Sequence, residues 1–254
     1  MDRGKVPEIF RPVAPGNEPP RPSDPALYSE KDSDTAYLTD RTLAALDIRR
    51  DAPWFAHVTY IRPHPPLVAP APWNQLVSPA TLPLPGRLRP DHPFVSAWFS
   101  APSNTGLFWG FDGDCDGLDD DSVSELRAVY LGLLAEVDHH IGRLLDWLDA
   151  TGQADDTLVI VTADHGEMLG DKAMWGKESV FDAAFAVPLW VRDPRAGQGG
   201  AIVSALTESV DIAPTILEWI GQPVPPAMDG QSLLAHVAGR APQAWRDAVF
   251  LEAE

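Results

Sequence analysis

Cysteine and positive charge are both scarce in this 254-residue sequence. Cys115 is the only cysteine, so the chain can form neither an intramolecular disulfide nor a zinc cluster nor a Cys-x-x-Cys redox motif. Lysine and arginine together number 19 against 37 aspartates and glutamates, which leaves a formal net charge of −18. Because nucleic acids bind to basic faces that release counterions from phosphate, the sequence predicts no nucleic-acid partner.

Long apolar runs are absent as well. No segment approaches 18 apolar residues, and Met1 to Glu8 contain nothing like the apolar core of a signal peptide. We therefore expect no membrane span, no membrane partner and a location in a reducing cytoplasm. An anionic substrate would have to be bound against the negative field of the whole chain, which favours a bound cation at its site.

Length and composition suit one large α/β domain with its own core, or two small domains, since 44% of the residues are hydrophobic. The 26 prolines are concentrated in residues 7–25 and 63–93, where they predict irregular, extended chain. We predict an irregular arm over residues 1–30, a partial α/β domain over 31–245 with a loop-rich insertion at 65–121, and the start of a truncated C-terminal subdomain at 246–254.

Hydrophobic periodicity predicts the regular elements. Helical spacing of apolar residues predicts helices over residues 35–50, 122–152 and 211–221, and short β-branched or aromatic runs predict strands at 54–60, 158–162 and 187–191. In the second helix, Ser122 and Glu125 have the spacing of a capping box, and Gly152 is suited to ending the helix. The alternation of strands and helices predicts a mainly parallel sheet with helices on both faces.

The tetrapeptide Asp164-His165-Gly166-Glu167 directly follows the strand predicted at 158–162. In open α/β sheets, ligands bind beyond the carboxyl ends of the strands. A carboxylate and an imidazole there are suitable ligands for Mg²⁺, Mn²⁺ or Ca²⁺, and Gly166 would let the backbone turn so that both side chains face one ion. The alternative is a helix-capping aspartate followed by a surface histidine.

Four separated segments, in this order along the chain, resemble sulfatases and phosphonate monoester hydrolases of the alkaline phosphatase superfamily. The segments are Ile61-Arg62-Pro63-His64-Pro65-Pro66, Val161 to Asp171 with Trp175-Gly176-Lys177, the Asp211–Gly221 segment, and Met228 to Leu234. The insertion before the long helix is more similar to the phosphonate monoester hydrolase branch. The resemblance implies an alkaline-phosphatase-like α/β fold and the hydrolysis of small anionic sulfate, phosphonate or phosphate esters.

The resemblance also implies residue roles. Asp164 and His165 would bind the divalent metal ion, which could be Mn²⁺, Ca²⁺ or Mg²⁺. Lys177 and His64 would contact the nonbridging oxygens and the leaving-group oxygen of the substrate. Without the resemblance, Lys177 is a solvated lysine and His64 a histidine in a turn. Glu167 either supports His165 from behind or faces water.

One expected feature has no counterpart in the 254 residues. The family uses a formylglycine nucleophile made from the first residue of Cys-x-Pro-x-Arg or Ser-x-Pro-x-Arg, and after Cys115 the required positions are Gly117 and Asp119. The string from Asn17 to Arg21 has the spacing, but an amide replaces the nucleophile. We therefore expect an incomplete piece of such an enzyme whose nucleophile lies elsewhere.

Other interpretations stay open at this point. A non-catalytic remnant that retains the fold and weak anion or metal binding, possibly as a homo-oligomer, is one. A phosphatase or phosphomutase of the same superfamily with a Ser or Thr nucleophile is another. The string from Asp112 to Gly117 matches the start of an EF-hand loop, but its twelfth position is Val123 where a glutamate is needed. We interpret His57, His139 and His140 as structural.

Overall fold

The computed structural model describes residues 12–16, 18–49, 51–86, 91, 93, 118–177, 179–197, 199–240, 242 and 244–250. Cys115 and the EF-hand-like string therefore lie outside the described residues. The chain forms two compact units, one from residues 1–151 and 168–176 and the other from residues 152–167 and 177–254.

Two helices dominate the first unit, and both were predicted. Helix α1 is Asp34–Arg49 and helix α2 is Asp120–Ala150. Gly152 follows α2 with a φ of +71°, a left-handed conformation that favours glycine, as expected. The predicted capping box is wrong, because Asp119 is the N-cap residue and its carboxylate accepts a hydrogen bond from the amide of Ser122. An aspartate one turn earlier satisfies the exposed amides better than Ser122 could.

The core of this unit lies between α2 and the proline-rich chain at the start of the predicted insertion. Its members are buried apolar residues, namely Leu67, Ala69, Leu126, Val129 and Leu133. Helix α1 is joined to α2 by two polar contacts, Arg143 to Asp40 at 2.6 Å and the Trp147 indole to Asp47 at 2.8 Å. The residues after Pro65 are thus part of the packed core of the unit.

Residues 54–60 were predicted to form a strand, and this prediction is wrong for the described chain, where they pair with no strand. Trp54 instead packs edge-on against Trp147, and the Tyr60 hydroxyl lies 2.8 Å from that of Thr39. Phe55 is 74% exposed and His57 is also exposed, so His57 is not a buried sheet residue. Apolar alternation favours a strand only where a neighbouring strand accepts its hydrogen bonds.

The second unit contains strand β1 (Val159–Thr162), helix α3 (Asp182–Phe185), strand β2 (Leu189–Arg192), helix α4 (Ile212–Trp219) and helix α5 (Leu234–Val237). The positions of β1, β2 and α4 agree with the sequence-based predictions. Short 3-10 turns complete the described chain at Glu30–Asp32, Trp73–Gln75, Pro79–Thr81, Ala154–Asp156, Asp171–Ala173 and Ser209–Asp211.

Strands β1 and β2 pair antiparallel, with Val159 opposite Arg192 and Thr162 opposite Leu189. For this pair the predicted parallel arrangement is wrong. A parallel pair needs a crossover that returns the chain to the starting end of the first strand. The connection between β1 and β2, residues 163–188, is long enough for such a crossover, so the antiparallel direction follows from the observed register and not from the length of the connection. Beyond this pair, the mainly parallel sheet stays a prediction.

Within the described residues, no helix combines the length and the apolar character that a membrane crossing requires.

Candidate active site

The residues predicted to bind metal form a turn just beyond the end of β1. After Thr162 the chain turns through Asp164 and His165 and then runs against α3. The amide of Gly166 donates to the carbonyl of Ala184 at 2.7 Å, and the amide of Glu167 donates to that of Ala183 at 2.9 Å. A Cβ atom on Gly166 would overlap the carbonyl oxygen of Ala183. Glycine is therefore needed here because the backbones approach closely.

The ring of His165 has a defined tautomer. Its Nδ1 lies 2.8 Å from the carbonyl oxygen of Gly166, and a carbonyl oxygen can only accept, so Nδ1 carries the proton. In the neutral ring, the lone pair is then on Nε2, which lies 3.7 Å from Oδ2 of Asp164. Metal-binding histidines are commonly oriented by such a bond from the second ring nitrogen. The sequence left open whether Glu167 supports His165 or faces water, and the group that contacts Nδ1 is the main-chain carbonyl of Gly166.

This pair of donors fits a divalent cation. Adjacent donors on one ion lie about 3.0–3.7 Å apart for right-angled bonds of about 2.1–2.6 Å, and the observed 3.7 Å is at the upper end of that range. The Asp164 side chain is 88% exposed, so its carboxylate can reach a ligand. Within the described residues, no group of three or more histidine, cysteine, aspartate or glutamate side chains is arranged to hold a metal ion. A metal ion at this turn would therefore need further ligands besides Asp164 and His165.

Gly166→Ala should destabilise the second unit by about 1–3 kcal/mol, because the new methyl group must displace the carbonyl of Ala183 and break both hydrogen bonds to α3. Urea unfolding measures this change as a lower midpoint. Gly199→Ala is the matched control, since a Cβ on Gly199 meets no atom within 4 Å. Equal unfolding midpoints for the two variants would contradict the close approach at Gly166.

Lys177 follows a short excursion that begins directly after the metal-binding turn. The excursion, residues 168–176, is closed at its base by a hydrogen bond of 2.9 Å from the amide of Met168 to the carbonyl of Gly176. Glu167 and Lys177, the residues on either side of this base, are therefore neighbours in space. The Lys177 side chain is exposed. The backbone closure thus brings Lys177 back beside Glu167, which lies two residues after His165.

His64 lies in the first unit, at the tip of a turn closed by a 3.0 Å hydrogen bond from its own amide to the carbonyl of Ile61. Its Nδ1 lies 2.7 Å from the carbonyl of Pro65, so this nitrogen also carries the proton. The side chain is exposed. Of the four predicted site residues, Asp164, His165 and Lys177 thus belong to the second unit and His64 to the first.

The other histidines have structural contacts. His140 is 5% exposed, and its Nδ1 lies 3.1 Å from Arg143, which donates to it. Burial, and then the positive charge of Arg143, lower the pKa of His140 below its ordinary value, so the ring stays neutral. His139 packs against Trp73 with ring centroids 5.7 Å apart.

Sequence comparison defines the class of protein. The chain belongs to the sulfatase family, because the family model described as Sulfatase matches residues 7–222. The multifunctional alkaline phosphatase superfamily protein PehA from Trinickia caryophylli is 38% identical over 254 residues, which is 96% of this chain and 49% of that protein. Choline-sulfatase from Rhizobium meliloti is 28% identical over 217 residues, or 83% of this chain and 41% of that protein.

Solved structures give the same result. The phosphonate monoester hydrolase from Silicibacter pomeroyi superposes with a TM-score of 0.88 and 48% identity, covering 95% of this chain and 48% of that one. For the phosphonate monoester hydrolase of Agrobacterium radiobacter the TM-score is 0.86 with 35% identity, covering 96% of this chain and 50% of that one. The predicted family and superfamily are confirmed, and the chain spans about half the length of these relatives.

Proposed function

We propose that this chain provides the metal-binding and leaving-group side of a metal-dependent ester hydrolase of the phosphonate monoester hydrolase type. The observation that carries the proposal is the turn after β1, where the lone pair on His165 Nε2 and the carboxylate of Asp164 lie 3.7 Å apart. Both are typical ligands of Mn²⁺ and similar cations. When bound there, such an ion would stabilise negative charge on the nonbridging oxygens of the substrate.

Lys177 would bind the same anionic group. The ammonium is a compact cation at the end of the 168–176 excursion, and it would offset charge that develops on oxygen in the transition state. Local cations are needed because the chain as a whole has a net charge of −18 and repels anions at long range. A small anionic ester is thus held by local charge.

His64 would protonate the departing oxygen. Because its Nδ1 donates to Pro65, the nitrogen that can deliver a proton in the imidazolium form is Nε2. Proton donation of this kind contributes about 10²–10⁴-fold to a rate. The attacking group would be the formylglycine typical of the family, supplied from outside the 254 residues.

Two of the most similar structures are phosphonate monoester hydrolases, which favours a phosphonate ester over a sulfate ester as the substrate. The test is hydrolysis of p-nitrophenyl phenylphosphonate and p-nitrophenyl sulfate by this chain together with the polypeptide segment that carries the formylglycine, after chelation and after addition of Mn²⁺. We expect Mn²⁺-dependent turnover that is faster for the phosphonate. Asp164→Ala should lower the Mn²⁺-dependent rate by about 10²-fold or more.

Asp182→Ala is the control, because it removes an exposed carboxylate of α3 and leaves the metal-binding turn intact. An unchanged rate in Asp164→Ala would contradict the proposed metal ligand. Failure to hydrolyse either ester with any of Mn²⁺, Mg²⁺ or Ca²⁺ would favour the non-catalytic remnant instead.

A further inference from the structure

A buried arginine lies beneath the turn that carries His64. Arg62 is 4% exposed, and its guanidinium is shared between three parts of the first unit. It donates to the Tyr28 hydroxyl at 2.8 Å and to the carbonyl of Pro66 at 3.0 Å, and it lies 3.4 Å from the carboxylate of Asp34 in α1. Burying a cation is costly unless it is paired and hydrogen-bonded, and these contacts meet that condition.

The contacts of Arg62 fix the main chain on both sides of His64. Its Nη1 is shared by the carbonyls of His64, at 3.5 Å, and Pro66, at 3.0 Å. Beyond Pro66, the side chains of Leu67 and Ala69 are buried in the core cluster with α2. The turn is therefore held from below by the guanidinium and at its far end by the core, while the imidazole of His64 stays exposed.

We propose that Arg62 is a positioning residue that fixes the orientation and tautomer of the His64 imidazole. The catalytic role of His64 in this inference rests on the proposed function. The positioning of the His64 ring by Arg62 does not. The hydrogen bond that sets the tautomer runs from Nδ1 of His64 to the carbonyl of Pro65. Pro65 is the single residue between His64 and Pro66, whose carbonyls Arg62 holds, so the direction of the Pro65 carbonyl depends on the guanidinium.

Lysine could not replace this arginine, because its ammonium is a point donor and cannot span several acceptors in one plane. The charges facing Arg62 come from Asp34 in α1 and from the buried Glu136 in α2. Burial raises the pKa of Glu136, while a hydrogen bond with Ser33 and the charge of Arg62 act in the opposite direction. Loss of the guanidinium therefore also leaves a buried carboxyl group without its nearby cation.

The test is nitrogen NMR of the histidine rings in the 254-residue chain at pH 8, where an imidazole of ordinary pKa is neutral. Long-range ¹H–¹⁵N correlations give the Nδ1–H to Nε2–H tautomer ratio, and His64→Gln identifies the His64 signals. We expect the wild-type ring to be mainly Nδ1–H. In Arg62→Lys and Arg62→Met the ratio should fall by about three- to tenfold, because the bond to Pro65 is no longer held.

Arg143→Met is the matched control. It also removes an arginine of the first unit, one that joins α2 to Asp40 in α1, and it does not touch the turn that carries His64. It should leave the His64 ratio unchanged. If Arg62→Met does not fold, as judged by circular dichroism, Arg62→Lys and Tyr28→Phe carry the test.

A wild-type tautomer ratio in a folded Arg62→Lys variant would overturn the inference. If the ratio shifts as expected but His64→Gln hydrolyses phosphonate esters at the wild-type rate, the proposed catalytic role of His64 fails while the positioning by Arg62 stands.

Discussion

Lys177→Ala should lower kcat/KM for the phosphonate ester by about 10²–10³-fold, the usual cost of removing one group that stabilises an oxyanion in the transition state. The effect should be large because the protein is strongly acidic and the metal-binding turn supplies two ligands. Affinity for Mn²⁺, measured by electron paramagnetic resonance, should change little, since Lys177 is not a metal ligand. The measurement is steady-state hydrolysis of p-nitrophenyl phenylphosphonate.

Lys172→Ala is the matched control for Lys177. Both lysines follow the metal-binding turn, but Lys172 lies within the excursion, where its amide bonds to the carbonyl of Gly86 at 2.6 Å. Lys172 has a φ of +55°, a left-handed conformation that is as strained for alanine as for lysine. We expect less than a threefold change in this control. Equal losses in the two variants would mean that net charge, and not a contact of Lys177 with substrate, sets the rate.

The position of the turn after β1 was predictable because its signal is local, whereas its metal-binding role stays a prediction. An apolar strand followed at once by Asp164, His165 and Gly166 predicts a ligand site at the strand end, and the structure has β1 ending at Thr162. The sequence also singled out Gly166, but for a sharp turn. The structure gives a further reason for glycine at this position, because the carbonyl of Ala183 lies too close to Gly166 for a Cβ atom. Likewise, the carbonyl that orients His165 leaves no signature in side-chain identity.

The incorrect predictions concern pairing between distant segments. An apolar run shows that a segment can be a strand, but its partner and direction depend on the connection. The connection between β1 and β2 is long enough for either direction, so the pattern could not indicate the antiparallel pair, and Trp54 packs on helix α2 instead of in a sheet. Arg62 stands out in the sequence only as part of a motif, because its partners, Tyr28 and Asp34, lie about thirty positions earlier.

The same limit applies to the buried ion pair of the second unit. Asp211 was predicted as part of a helix, and nothing in its neighbourhood indicates a partner 35 positions away. In the structure it is fully buried, and Arg246 grips both of its carboxylate oxygens. The amides of Gln231 and Glu208 donate to the same oxygens at 2.8 and 2.9 Å. The carboxylate of Asp211 thus links two segments that resemble the family, Asp211–Gly221 and Met228 to Leu234, and this link stabilises the unit.

Arg246→Met should therefore destabilise the second unit by about 3–5 kcal/mol, because it leaves the carboxylate of Asp211 buried without its cation. Arg246 also lies 3.2 Å from Glu208, so the loss spreads to the turn before α4. Hydrogen exchange of α4 amides measures the change within this unit alone. Arg240→Met, an exposed arginine in the same unit, should change the free energy of opening by less than about 0.5 kcal/mol.

The pH dependence gives a second measurement of the same pair. Burial by itself raises the pKa of Asp211, but the hydrogen bonds from Arg246, Gln231 and Glu208 outweigh burial, and the pKa lies below its ordinary value. A lowered carboxyl pKa adds stability at pH values above about 3.9, and that stability is lost as the pH falls through the pKa of the folded state. In the wild-type protein, the protection of α4 amides from hydrogen exchange should therefore fall in acid. In Asp211→Asn this protection should already be lower at neutral pH and should fall less in acid. Parallel acid profiles for the two proteins would show that Asp211 is not the group whose protonation opens this unit.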